Sequence, residues 1–148
     1  MPHNLPGAIL FVCTRNSVRS PMAEALLKQR LGQRVYIDSV GVREGDIDGF
    51  AATVMQEIGI DLTRHRAKTF EDLHDTSFDL VVTLSPEAHH RALEMTRTMA
   101  CEVEYWPTFD ATMVEGRREE RLAAFRAVRD QLRERICRRF AAIAAPRP

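Results

Sequence analysis

Apolar positions along the chain follow two rhythms. Ala8-Ile-Leu-Phe-Val-Cys13 is an unbroken apolar run, too short for a helix, and reads as a buried strand. Val35–Val40 and Phe78–Leu84 predict a second and third strand. Glu102–Trp106 alternates apolar with charged residues, the pattern of an edge strand with one face in water. Helical spacing takes over between them. Ala23, Leu26, Leu27, Arg30 and Leu31 share one stripe that Gly32 stops, and Ala51, Val54, Met55 and Ile58 share another that Gly59 ends. Ser85-Pro86 is a cap followed by a first-turn proline, predicting a helix to about Arg97. Leu122, Phe125, Val128, Leu132, Ile136, Phe140 and Ile143 step by three and four through the last and clearest helix. Thr69-x-x-Asp72 has the form of a capping box and predicts a short helix near Phe70 to His74. Met1 to Gly7 is a loose lead-in, and Gly41 to Gly49 a loop.

Strands alternating with helices predict an α/β fold, a parallel sheet with helices on both faces and a site beyond the carboxyl ends of the strands. A length of 148 residues suits one domain spanning 1–148. Apolar content of 45% and charged content of 28% are ordinary for a globular protein. Zero formal net charge gives no global footprint for nucleic acid or membrane. Residues 115–148 do hold ten Arg against five acids, which reads as a solvated helix face. Three scattered cysteines make no disulfide framework. No run approaches the ~20 apolar residues of a membrane span, and no signal peptide is visible, so the expected compartment is the cytoplasm.

Chemistry concentrates where the first strand ends. Cys13 is followed by Thr14-Arg15-Asn16-Ser17-Val18 and then by Arg19, Ser20 and Pro21. With Ser20 as N-cap and Pro21 as the first helical residue, the strand delivers Cys13 to a helix N-terminus. Backbone N–H groups and the positive end of the helix dipole converge there on an anion site. Helix N-termini and neighbouring guanidinium groups stabilise thiolates, which would make Cys13 a nucleophile. Arg19 offers a planar fork for two oxygens of a tetrahedral oxyanion. A lone cysteine would otherwise be a core residue.

The stretch Val12-Cys13-x5-Arg19-Ser20-Pro21-Met22-Ala23-Glu24 resembles the signature of the low-molecular-weight protein tyrosine phosphatases and the related arsenate reductases. The likeness runs on through Asp38-Ser39-x-Gly41, Gly59-Ile60-Asp61 with His65, and Phe78-Asp79-Leu80-Val81-Val82, covering nearly the whole chain. It implies a single-domain, three-layer α/β/α sandwich on a four-stranded parallel sheet in the order 2-1-3-4. It also implies Cys13 as nucleophile, Arg19 as phosphate binder, and a phosphate-binding loop of Thr14, Arg15, Asn16, Ser17, Val18 and Ser20. Asn16, Ser20 and His65 would form the network that shapes that loop. The family's acid lies in the loop after the fourth strand, where Asp110 is the only Asp of Trp106–Gly116 and Ala111 replaces the usual proline. Glu115 and Asp48 are the competing carboxylates.

The activity so implied is hydrolysis of phosphomonoesters, phosphotyrosine among them, through a phosphocysteine intermediate without metal or cofactor. Its partners would be a phosphorylated protein or a small phosphomonoester, with phosphate, sulfate, vanadate or arsenate able to occupy the loop. Thr112 and Met113 stand where tyrosine phosphatases of the family commonly carry aromatic walls, which weakens the case for phosphotyrosine. Arg15 stands where glycine is usual. It either crowds the loop, if that backbone needs a positive φ, or adds a cation at the mouth. Thioredoxin-coupled arsenate reductases resolve with a cysteine just after the third strand, where this chain has Ser85. A single-cysteine reductase served by an external thiol therefore remains as the alternative, and an inactive oxyanion-binding regulatory module as a third. Val18 replaces a cysteine that shields the nucleophile in many relatives. Cys101 and Cys137 are expected to be core thiols. Adjacent helical residues do not share a face, so His89-His90 reads as surface histidine and not as a metal site.

Overall fold

The computed structural model describes residues 6–73 and 77–141. Four parallel strands, β1 (Ala8–Cys13), β2 (Tyr36–Gly41), β3 (Leu80–Thr83) and β4 (Glu102–Tyr105), form one sheet in the order β2-β1-β3-β4. The chain leaves β1 towards β2 and returns to place β3 on the other side. The crevice between β1 and β3 is thus a topological switch point, where ligand sites of open α/β sheets form. Register pairs Cys13 with Gly41 and Val12 with Thr83, bringing three carboxyl ends to one rim.

Four helices, α1 (Arg19–Leu31), α2 (Gly49–Gln56), α3 (Pro86–Met95) and α4 (Arg118–Arg139), cover the sheet. Ile9, Phe11, Ile37, Leu80 and Val82 point to one face, against residues of α1, α2 and α4. Leu10, Val12, Val40 and Val81 point to the other, against Ala88, Ala92 and Met95 of α3. Burial on both faces is why β1 is apolar at every position instead of alternating. Among the described residues no helix is long and apolar enough to cross a membrane.

Several boundaries differ from those the sequence predicts. Helix α1 starts at Arg19, with Val18 as N-cap and no side-chain cap, so Ser20 is not the capping residue. Its hydroxyl is engaged by Cys13 and Asn16 instead. Pro21 still falls in the first turn, where N–H groups lack intrahelical partners. Ser85 does cap α3, accepting from the Ala88 N–H at 3.2 Å. The capping box at Thr69 and Asp72 opens a 3-10 turn, Phe70–Asp72. His74 and Ile143 lie outside the described residues. β4 is an edge strand, but Glu104 on its α4-facing side is half-buried in an ion pair with Arg139 at 2.8 Å.

Arginines of α4 also lock α2. Glu57 accepts from Arg126 and Arg129 at 2.8–3.1 Å, and Arg129, itself buried, donates to the Val54 carbonyl at 2.7 Å. Hydrogen bonds from Arg126, then Arg129, hold the Glu57 carboxyl at about 2, below its ordinary 4.5. A depressed carboxylate stabilises the fold above its unfolded value, and that contribution is lost as pH falls towards the folded one. Glu57→Gln should therefore be less stable than wild type at neutral pH, with a flatter decline between pH 4.5 and 2. Urea midpoints across that window check this, and parallel declines would count against it.

Candidate active site

The loop after β1 folds back on itself around one residue. Asn16 has φ 56°, the single non-glycine positive φ among the described residues. Asparagine tolerates this left-handed conformation better than most side chains. The loop runs tight over two glycines. A Cβ at Gly41 would meet the Arg15 carbonyl carbon at 2.5 Å and the Asn16 nitrogen at 2.6 Å. One at Gly45 would meet Ser17 Oγ at 2.7 Å. Arg15 itself has no positive φ, so the crowding that was one possibility for this position does not arise. Its guanidinium is tethered beside the loop, with Nη1 donating to the Glu44 carbonyl at 2.9 Å.

Three donors surround the sulfur of Cys13. The Asn16 and Ser20 N–H groups approach Sγ at 3.2 and 3.4 Å, and Ser20 Oγ at 2.8 Å. Ser20 is the second residue of α1, so an orphan amide of the helix N-terminus is aimed at the thiol. The direction of the hydroxyl bond follows from its neighbours. The Glu24 carboxylate faces Lys28 and can only accept, so Ser39 Oγ donates to it. Ser39 Oγ then accepts from Asn16 Nδ2 at 2.9 Å, and the second hydrogen of that amide goes to Ser20 Oγ at 2.8 Å. Ser20 is left with its own hydrogen, for which Cys13 Sγ at 2.8 Å is nearer than the Val40 carbonyl at 3.4 Å. Every member of this buried chain is satisfied, the condition under which such networks rigidify a site.

His65 closes the network from outside. Asn16 Oδ1 accepts the Lys68 N–H at 3.0 Å and faces His65 Nε2 at 2.9 Å, which makes Nε2 the protonated ring nitrogen. Burial holds the imidazole below its ordinary 6.5, partly opposed by Glu24, whose Oε1 lies 3.8 Å from Nδ1. The ring is therefore neutral at pH 7 and acts as a positioned donor.

Arg19 is buried at the other side of the loop. Its Nη1 donates to the Thr108 carbonyl at 3.0 Å, and its Nη2 lies 3.9 Å from Asp110 Oδ2. Asp110 is fixed through its other oxygen, which accepts from the N–H and hydroxyl of Thr112 at 3.0 and 2.6 Å and caps the 3-10 turn Ala111–Met113. Cys13, Thr14, Ser17 and Arg19 share a cavity of about 120 Å³ with Asp110 and Thr112, and Arg15 and Val18 complete its wall. Thr14 Oγ1 donates to Ser85 Oγ at 3.0 Å, tying the loop to the capping residue of α3.

Other candidates fall elsewhere. Glu115 is not on the cavity wall, and Asp48 caps α2 by accepting from the Phe50 and Ala51 N–H groups. His89 hydrogen-bonds Thr83 at 3.0 Å and stacks on Tyr105, ring centroids 4.6 Å apart, while His90 is exposed. Cys101 and Cys137, expected to be core thiols, are both half-buried, and Cys101 packs against the core beneath α3. Partial burial raises the Cys101 thiol, and Cys137 Sγ accepts from Arg30 at 3.3 Å. Sequence reading gave no role to Glu24, Ser39 or Lys68. Glu24 carried a usable signal, since a charged residue stands in the inward stripe of Ser20, Leu27 and Leu31.

The sequence profile of the family described as low molecular weight phosphotyrosine protein phosphatase matches residues 8–146. The chain belongs to this family. Within the family it is similar to an arsenate reductase of Bacillus licheniformis, 37% identical over 135 residues that cover 90% of this chain and 94% of that protein. It is similar to the structure of an arsenate reductase in the phosphate binding state, at 27% identity and TM-score 0.68, covering 92% and 98% of the two chains. The fold is also that of the tyrosine phosphatase Wzb from Escherichia coli K30 in complex with sulphate, at 21% identity and TM-score 0.75, covering 94% and 99%.

Removing the amide of Asn16 tests the network of this family member. Asn16→Ala should cost about 2–4 kcal/mol, from four lost hydrogen-bond contacts and a strained φ. Asn16→Gly, which loses the same hydrogen bonds but carries no strain at a positive φ, should recover about 1 kcal/mol of it. Urea denaturation of both variants reads the difference, and equal stabilities would show that the left-handed backbone is not the constraint.

Proposed function

We propose that the chain is a phosphomonoesterase that works through a phosphocysteine intermediate. The observation that carries this is the convergence of three hydrogen-bond donors on Cys13 Sγ, in a cavity that also holds Arg19 and Asp110. A thiolate accepts such donors well and a thiol only weakly. Cys13 attacks phosphorus along the line of the leaving oxygen, forming S–P as P–O breaks. Arg19 and the loop amides hold the equatorial oxygens as charge develops on them. Asp110, protonated at the start, gives its proton to the departing oxygen. Its carboxylate then takes a proton from water, which attacks phosphorus and releases phosphate and the Cys13 thiolate. The oxyanions in the relatives' structures, phosphate in the arsenate reductase and sulphate in Wzb, support an anion site of this kind.

The identity to arsenate reductases favours a second reading, reduction of arsenate on Cys13 with resolution by an external thiol. Resolution within the chain is disfavoured by distance. Cys101 precedes Glu102, which pairs with Leu80 and, through it, lies level with Ile9. Four residues of strand, about 13 Å, separate that level from Cys13. Cys137 contacts Arg30, about 16 Å of helix beyond Arg19. A disulfide needs Cα atoms within about 7 Å.

Turnover of a series of aryl phosphates decides between the two. Wild type should hydrolyse them with vanadate inhibition, and Cys13→Ser should abolish turnover. Arg19→Ala should lower kcat/KM by about 10²–10³-fold. Asp110→Asn should lower kcat by about 10²-fold or more for poor leaving groups and far less for nitrophenol. Thiol-dependent arsenate reduction without hydrolysis would overturn the phosphatase assignment.

A further inference from the structure

We propose that Arg15 sets the substrate preference of this site, selecting phosphomonoesters whose leaving group carries a second negative charge near the phosphoryl group; this rests on the phosphatase function above. Arg15 is exposed and lines the same small cavity as Cys13 and Arg19. Its backbone is unstrained, and Gly45 leaves room for it: a Cβ at Gly45 would come within 2.9 Å of the Arg15 carbonyl oxygen and 3.0 Å of its Cβ. One guanidinium nitrogen, Nη1, is tethered to the Glu44 carbonyl at 2.9 Å. That tether orders the side chain without neutralising it, since the acceptor is a carbonyl and not a carboxylate.

The neighbouring cations are already committed. Arg43 pairs with Glu87 at 2.9 Å, and Arg19 is the group assigned to the phosphoryl oxygens. Among the described residues no carboxylate pairs with Arg15, which leaves Nε and Nη2 as donors for whatever passes the rim. A cavity of about 120 Å³ holds a phosphoryl group and little more, so the leaving group must emerge past the exposed rim residues Arg15 and Thr112. Thr112 offers no ring for an aryl group to stack on. Phe109 and Met113 of the same loop are exposed but not on the cavity wall, so among the residues lining the cavity it is charge at Arg15 that distinguishes one leaving group from another. A guanidinium, planar and always charged, suits a carboxylate or second phosphate there. An exposed pair of this kind contributes about two- to fivefold in kcat/KM and weakens with salt.

The test is a ratio, which cancels any general effect on the loop. The kcat/KM for carboxyphenyl phosphates is divided by that for aminomethylphenyl phosphates, meta and para isomers of each, in wild type, Arg15→Ala and Arg15→Lys. The ratio should fall about two- to fivefold in Arg15→Ala and be largely retained in Arg15→Lys. The wild-type ratio should also shrink at high salt, towards that of Arg15→Ala. A ratio unchanged in Arg15→Ala, with both substrates slowed equally, would mean that Arg15 only supports the loop, and overturns the proposal. Should wild type turn over neither substrate, the phosphatase function itself fails. Arg15 is then judged by calorimetric binding of the corresponding carboxyphenyl- and aminomethylphenylphosphonates, whose affinity ratio must show the same dependence on Arg15 or the proposal is lost.

Discussion

The site depends on one amide side chain holding its own backbone in the left-handed region. With φ 56°, Asn16 turns the chain so that its N–H and that of Ser20 both face the sulfur of Cys13. The conformation costs roughly 1 kcal/mol even for asparagine. It is offset by Asn16 Oδ1, shared between His65 and the Lys68 N–H, and by Nδ2, shared between Ser20 and Ser39. Gly41 beneath it cannot carry a side chain without displacing the loop backbone. Segments far apart in sequence thus converge to hold a five-residue turn.

Much of this was legible in the chain. Both faces of β1 are buried, so its apolar run was unambiguous, and Ser85-Pro86 marked a helix start that the structure reproduces. The same serine–proline pair at Ser20 misled, because a cap assignment weighs only local partners. Ser20 lies beside a sulfur and an amide that are reached through tertiary contact, and its hydroxyl goes to them. Asp48 caps α2 and stands directly before the helical stripe of Ala51 and Val54, a position where the chain itself carries the cap signal. The strand order needed the family resemblance, since periodicity fixes which face a residue takes and not which strand lies beside which. Within the site, the relay through Ser39 and Glu24 could not be read from spacing, because β2 and α1 meet only when the sheet forms.

The loop after β4 holds Asp110 in position with Ala111 standing where the family resemblance implies a proline. Asp110 caps its own short turn through one oxygen and leaves the other towards Arg19. The two hydrogen bonds donated by Thr112 do what a fixed proline φ would otherwise do, restricting the carboxylate before any ligand arrives. Arg19, in turn, reaches the same loop through the Thr108 carbonyl. Loop and guanidinium order each other.

The placement of the three cysteines has a consequence for the lifetime of this protein under oxidants. Cys101 flanks the amino edge of the sheet and Cys137 the far end of α4, and the loop residue before Arg19 is Val18, buried in the same core cluster as Cys13. An oxidised Cys13 has no partner thiol within reach in its own chain. Its recovery is therefore a bimolecular event, and the fraction left in working order tracks the surrounding pool of small thiols instead of any reserve built into the molecule.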